Sequence, residues 1–219
     1  MSLLSSLGQA FHRVGVQTSV PDRLGTVRLA LEGWREEEAL EGMRGWRDPD
    51  GTGLSLAFHD APFRLFDTEA DLRRVARDIA ESRGAGLIEA TIVAAGPHPT
   101  GSWIYKRRED TGYVFTGMLM MQGPRGALVW TTAAGERGTT GIREAVITAE
   151  LMEAGQLTLE GYEQSWAQDP YDPSYRGVDR SVLRFVSDDP RYDGRFPDHP
   201  LLKVRRVLAA LPASVTGFP

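Results

Sequence analysis

The sequence predicts an α+β protein, an antiparallel β-meander sheet covered by helices on both faces. Three observations carry this prediction. Four consecutive stretches, LIEATIVAAG, SWIYKRRED, GYVFTGMLMMQG and ALVWTTAAGE, each have the length of a long strand and are separated by Gly, Pro and Asp. In the two central stretches both faces are largely apolar: Trp103 and Tyr105 oppose Ile104, and Tyr113, Phe115, Leu119 and Met121 oppose Val114, Met118 and Met120. An antiparallel sheet of that kind must be covered on both sides. Two segments of helical periodicity, DTEADLRRVARDIAESRGAG and TTGIREAVITAELMEAG, flank the meander and can supply cover.

Each element has its own justification. Leu3, Leu4, Leu7, Phe11 and Val14 are spaced by three and four, which predicts a short N-terminal amphipathic helix weakened by Gly8 and Gly15. TVRLAL (26–31) and LSLAF (54–58) alternate and read as strands. The intervening REEEALEGMRGWRDPDGTG reads as a loop or short helix, with Asp50–Gly51 as a turn. Thr68 and Asp71 form a capping box ahead of an apolar stripe of Leu72, Val75, Ala76, Ile79 and Ala80. Glu69–Arg73 and Arg77–Glu81 are placed to pair on the outside. In the second helix Ile142, Ala145, Val146, Ala149 and Met152 make the predicted buried stripe, and Gly155 the stop. GYEQSWAQDPYDPSYRGVD is expected to be an ordered loop, because Trp166, Tyr171 and Tyr175 favour burial.

The chain of 219 residues is expected to be a single α+β domain over 1–219, with an N-terminal segment (1–25), the sheet and two helices (26–155), and an aromatic loop with the C-terminal helix (156–219). Lysine and arginine total 25 against 30 aspartates and glutamates, so the formal charge of −5 repels a phosphate backbone and argues against nucleic acid. The aromatic-interleaved Lys106, Arg107 and Arg108 then read as a solvated hairpin end. With no cysteine there is no disulfide, thiolate nucleophile or thiolate metal site, which suits a cytoplasmic location. The N-terminus lacks a secretory pattern and no stretch approaches the ~18 apolar residues of a membrane span. A mature secreted form would look the same.

The stretch SDDPRYDGRFPDHPLLKVRRVL (187–208) concentrates aspartates, aromatics and a histidine. It reads as a clasp. Pro200 fits a first helical turn, Leu201, Val204, Leu208 and Leu211 form a stripe, Asp198 and His199 suit the helix start, and the aspartates act as solvated turn formers. The competing reading joins Asp193, Asp198 and His199 with His59–Asp60 in a metal or acid–base site, but no two histidines lie at ligand spacing. DPDGTG lacks the glutamate that closes a calcium loop. Glu36, Glu37 and Glu38 read as an exposed face and His98 as a loop residue. Nucleophile elbow, P-loop, dinucleotide fingerprint and H-E-x-x-H are all missing. No catalytic, cofactor-binding or metal residue is therefore assigned, no cofactor is expected, and the balance favours a protein that is not an enzyme.

TTGIREAV after a meander, then DPYDP and DDPRYDGRFPDHPLLKVRRVL, resembles an uncharacterised bacterial, mainly actinobacterial, family over roughly residues 54–211. The layout is similar to the PsbP/DcrB-like α/β/α sandwich. What the resemblance implies is binding without catalysis: an adaptor or chaperone for a protein partner, or self-association, through an exposed apolar surface of Trp103, Tyr105, Tyr113, Phe115, Met118 and Met120. The other reading is a small-molecule binder or hydrolase with a pocket beside those aromatics. A flat apolar surface favours the first, and a pocket with convergent polar groups the second.

Overall fold

The computed structural model describes residues 24–37, 42–59, 65–94, 99–123, 126–160 and 165–216. The predicted N-terminal helix, Glu38, Asp60 and His98 lie outside them. The architecture is built on a seven-stranded antiparallel sheet. Its strands are β2 (Arg35–Glu37), β3 (Met43–Arg47), β4 (Gly53–His59), β5 (Gly86–Val93), β6 (Thr100–Glu109), β7 (Gly112–Gly123) and β8 (Gly126–Gly135), in the order β2-β3-β4-β8-β7-β6-β5. The four-strand meander is as expected, with Trp103 opposite Met118 and Leu119 opposite Trp130. Two short pairs lie outside this sheet. β9 (Ala167–Gln168) runs antiparallel to β10 (Arg184–Phe185). The run TVRLAL shrinks to β1 (Arg28–Leu29), which pairs with β11 (Val215–Thr216) after the last helix.

One stretch needs correcting. The stretch between the first two strands, predicted to be a loop or short helix, instead holds the edge pair β2–β3. Its strand character is hidden because it carries charge where a core strand carries apolar residues: Arg44 pairs with Glu36 and Arg47 with Glu37 across the ladder. Trp46 turns inward, 5.5 Å from Trp130. Asp48 Oδ1 accepts the amide of Thr52, and Gly51, at φ 81°, makes the turn into β4.

Alternate residues of the meander enter two separate cores. Ile104, Phe115, Leu119 and Met121 join one that contains Leu201, Val204, Leu208 and Leu211 of α3 (Pro200–Ser214). Trp103, Tyr105, Met118 and Met120 join another that contains Leu72, Ala76 and Ala80 of α1 (Glu69–Glu81). The capping box forms as written, Thr68 Oγ1 accepting the Asp71 amide. Glu69 pairs with Arg73. Arg77 does not take Glu81: it pairs at 2.7 Å with the buried Asp169, while Glu81 accepts from Tyr175 Oη. That hydrogen bond from Arg77 to Asp169 raises the pKa of the arginine. Tyr171 Oη reaches both the amide and the carbonyl of Ala90, so the aromatic loop is ordered against β5.

α2 (Ile142–Glu153) turns a different face inward from the one predicted. Arg143 and Ile147 are buried and Ile142 is half exposed. The helix does not join the sheet cores; Ile147 sits in a third cluster with Leu157, Trp166, Leu183 and Phe185. Gly155, at φ 67°, follows its end.

α3 lies close on β7 because position 117 is glycine: a Cβ there would stand 2.6 Å from Val204 Cγ1 and 2.7 Å from Leu208 Cδ1. Gly117→Ala is expected to cost about 1–3 kcal/mol by overpacking. Leu208→Ala should cost about 2–5 kcal/mol through the cavity it leaves. The double variant should lose less than the sum, since that cavity receives the new methyl group; urea unfolding that returns simple additivity would contradict this packing.

Candidate functional site

The candidate site lies where β6, β8, α2 and α3 meet the 187–199 segment. Lys106, expected at a solvated hairpin end, is instead fully buried, and its Nζ donates to Asp188 Oδ2 at 2.7 Å. The same oxygen accepts the Phe185 amide, and Nζ stands 3.0 Å above the Phe185 ring. Burial holds the Lys106 pKa below its usual value despite the opposing charge and hydrogen bond of Asp188. The aspartates of this segment are thus not all solvated turn formers. Asp188 is enclosed, and Asp193 binds both Arg143 and Arg205, at 2.9 and 2.8 Å. Arg205 also reaches Glu89 at 2.6 Å and the Asp188 carbonyl at 2.8 Å. Asp189 caps a 3₁₀ turn by accepting the Arg191 amide, and Asp198 is exposed.

Arg143 is only 1% exposed. Its Nε donates to the Ser187 carbonyl, and its Nη2 to the Asp189 carbonyl and to Asp193. Its Nη1 is buried without a partner. His199 caps α3: Nδ1 accepts the Leu201 amide at 3.3 Å, and the ring meets Phe115 edge-on. An acceptor at Nδ1 puts the proton of the neutral ring on Nε2, which is also buried without a partner. Burial, reinforced by the positive charge of Arg143, pushes the His199 pKa down to about 4. Glu144, whose two oxygens are likewise buried and unpartnered, has its pKa raised by burial, with the charge of Asp188 acting in the same direction.

Two cavities border the first turn of α2. One, of about 510 Å³, is lined by Ile142, Arg143, Phe196, His199, Glu136 and Arg137 among others. The other, about 530 Å³, is lined by Tyr113, Glu144, Trp166 and Phe185 among others. Glu136 is held by two amides, Tyr113 N and Gly141 N, each at 2.9 Å. Glu136, Glu144 and a ring nitrogen of His199 offer ligand atoms within 4.8 Å of one another, a spacing a divalent cation could bridge. The protonated Nε2 argues against that use, because a nitrogen bearing a proton donates and does not ligate.

The residues expected to form an exposed apolar surface are placed otherwise. Trp103, Tyr105, Phe115, Met118 and Met120 are all buried in the two sheet cores. Tyr113 is half-buried, with its Oη donating to the Ser181 carbonyl. The clusters that enclose them also contain residues of α1 and α3. The constellation of Asp193, Asp198, His199 and His59 is not assembled: Asp193 is committed to arginines, and His59 sits six residues along β4 from Gly53, about 20 Å away at the usual strand rise. Sequence reading names His199 as a cap but misses Lys106, Arg143, Glu136 and Glu144. The signal for Arg143 is a lone arginine beside the helix start in TTGIREAV, which periodicity alone assigns to solvent.

No protein-family model and no curated protein matches the chain. Among solved structures, a Bacteroides thetaiotaomicron protein is 15% identical over 52% of this chain at a TM-score of 0.35, and the chain spans 40% of its length. A point mutant of the protein Mog1 is 9% identical over 57% of this chain and 79% of its own, with a TM-score of 0.39. LpqN of Mycobacterium tuberculosis, described as involved in cell envelope biogenesis, is 13% identical over 61% of this chain and 80% of its own, with a TM-score of 0.28. At TM-scores below 0.5 these likenesses bear on neither the fold nor the function of this chain. Among the described residues no helix is long and apolar enough to cross a membrane.

Unfolded, His199 takes up its proton near the ordinary value of 6.5; folded, it does so only near pH 4. Between these values the unfolded chain binds the extra proton, so stability is lost as pH falls through the window, by about 3 kcal/mol for this group at most. His59, whose pKa burial also lowers, acts in the same direction. Comparison with His199→Asn, which keeps a capping side chain, isolates the first contribution. Urea unfolding at pH 7 and pH 4 should show the variant gaining on the wild type, and parallel pH profiles would contradict the buried neutral ring.

Proposed function

We propose that this is a small-molecule-binding protein whose ligand occupies the 510 Å³ cavity between the start of α2, the end of β8 and the start of α3. One observation carries the reading: Arg143 and His199, whose Nη1 and Nε2 are buried donors without partners, are both among the residues that line that cavity. Folded chains rarely leave such atoms unsatisfied, and their concentration beside a cavity supports its use as a binding site. The volume lies in the ordinary range for small-molecule sites. We assign binding and no catalytic step.

The adaptor reading has lost its motive, since the meander aromatics are buried. Among the described residues the exposed large apolar side chains are Ile92, Ile142 and Leu159, in three separate stretches. In the same reading α1 and α3 cover opposite faces of the sheet, the layout of a PsbP/DcrB-like sandwich. The cysteine-free composition supports a reducing, cytoplasmic setting, and the acidic balance an absence of nucleic-acid partners.

A thermal-shift screen of a fragment library tests the proposal. Thr139 is exposed at the cavity rim, and Thr139→Trp should narrow the cavity while leaving the melting temperature of the free protein unchanged. Compounds that stabilise the wild type should fail to stabilise this variant. Hits that stabilise both proteins equally would remove the cavity from the account.

A further inference from the structure

We infer that the buried pair of Lys106 and Asp188 is the reactant of an intramolecular condensation, in which Lys106 Nζ and Asp188 Cγ join as an amide and one water leaves. The product is a covalent tie between β6 and the 185–188 turn, made by the folded chain itself and independent of any ligand. In the structure the pair stands before this step.

The geometry meets what such a bond requires. Nζ is held 2.7 Å from Asp188 Oδ2, beside the carbon it attacks, and fixing two reacting groups in this way removes most of the entropic barrier between them. Both side chains are fully buried, so the water that would hydrolyse the amide is kept out. The two oxygens of Asp188 are unequal. Oδ2 accepts the Phe185 amide at 2.8 Å, a donor placed to stabilise the negative charge that builds on this oxygen as nitrogen adds. Oδ1 is buried without a partner, which leaves it the oxygen that departs.

As ions the pair is sparsely provided for. An ammonium carries three N–H donors, yet among the described residues Nζ has a single hydrogen-bond acceptor. Its other neighbours are the rings of Phe185, at 3.0 Å, and Tyr113, at 5.0 Å. Burial favours the uncharged amine, the form that can attack. Two charges held out of water carry a cost that a neutral amide does not, so the burial that disfavours the ions favours their condensation.

The step balances without a co-reactant. A proton passes from the ammonium to Asp188 Oδ1, giving an amine and a carboxylic acid. The nitrogen lone pair forms the N–C bond and Cγ becomes tetrahedral. The Cγ–Oδ1 bond then breaks, and the hydroxyl leaves as water with one proton from nitrogen, while Oδ2 remains as the amide oxygen. Glu144 carries that proton from nitrogen to oxygen. It is a carboxyl of α2 whose oxygens are buried without partners and whose charge acts on both Lys106 and Asp188. Burial raises its pKa, which suits it to hold a proton and pass it on.

The test is the intact mass of the full chain, measured after denaturation, with peptide mapping by tandem mass spectrometry. After incubation of the folded protein at neutral pH, the chain should weigh one water less than its sequence. A branched peptide should join Lys106 to Asp188, and trypsin should fail to cut after Lys106. Lys106→Arg keeps the positive charge but offers a guanidinium, which does not condense, so this variant should keep its full mass. Glu144→Gln should stay folded and condense about a hundredfold more slowly, the lower end of what a positioned acid or base contributes. Wild type that retains its full mass after days in the folded state would overturn the inference, whatever the variants do. A loss of water that persists in Lys106→Arg would also overturn it, placing the loss elsewhere, as succinimide formation at Asp50–Gly51 or Asp193–Gly194 would. Condensation of Glu144→Gln at the rate of the wild type would overturn the part given to Glu144.

Discussion

A fully buried ion pair, Lys106 with Asp188, is the contact on which the rest of this end of the molecule depends. Taking both charges out of water costs several kcal/mol per ion, and that cost is offset only while each has the other and supporting hydrogen bonds. Asp188 Oδ2 accepts from Lys106 Nζ and from the Phe185 amide, which bends the chain tightly at 185–188. That bend delivers the carbonyl of Ser187 to Arg143 of α2 and the carbonyl of Asp188 to Arg205 of α3. A single residue pair separated by 82 positions in sequence thus sets where two helices meet the sheet.

The cavity is a consequence of that arrangement. Arg143 is drawn beneath the 187–193 segment by three acceptors, and the geometry that satisfies Nε and Nη2 leaves Nη1 facing no partner. His199 is oriented by its own role as the cap of α3, and the cap fixes which nitrogen holds the proton. Structural duties therefore leave an unpartnered donor on each of two residues that line one cavity. Buried polar groups with incomplete hydrogen bonding are costly in a protein interior, and their clustering at a cavity is the physical reason for treating it as a site.

Local chemistry is legible in the sequence, and remote pairing is not. The box of Thr68 and Asp71, the turn at Gly51 and the cap at His199 depend on residues a few positions apart, and all appear as read. The meander is legible because its strands alternate and are punctuated. Lys106 is misplaced because a lysine reads as solvated unless Asp188 is known to lie beside it. The inward face of α2 is misread for a related reason. Ile142 and Val146 outrank Arg143 on any apolar scale, yet the carbonyls of Ser187 and Asp189 turn that arginine inward. The β2–β3 pair escapes notice because edge strands carry charges in place of the apolar alternation that announces a strand. Glu136 and Glu144 come together with His199 only through the tertiary fold, so no spacing in the sequence could have joined them.

The measurement that bears most directly on this account is a double-mutant cycle on Lys106→Met and Asp188→Leu, read by urea unfolding at neutral pH. Each single variant strands a charge in the interior and should cost roughly 3–5 kcal/mol, whereas the double variant, with an apolar pair in its place, should cost far less than the sum. Single variants that each lose less than about 1 kcal/mol and combine additively, as an exposed pair would, would contradict the claim that this contact organises the helices and the cavity between them.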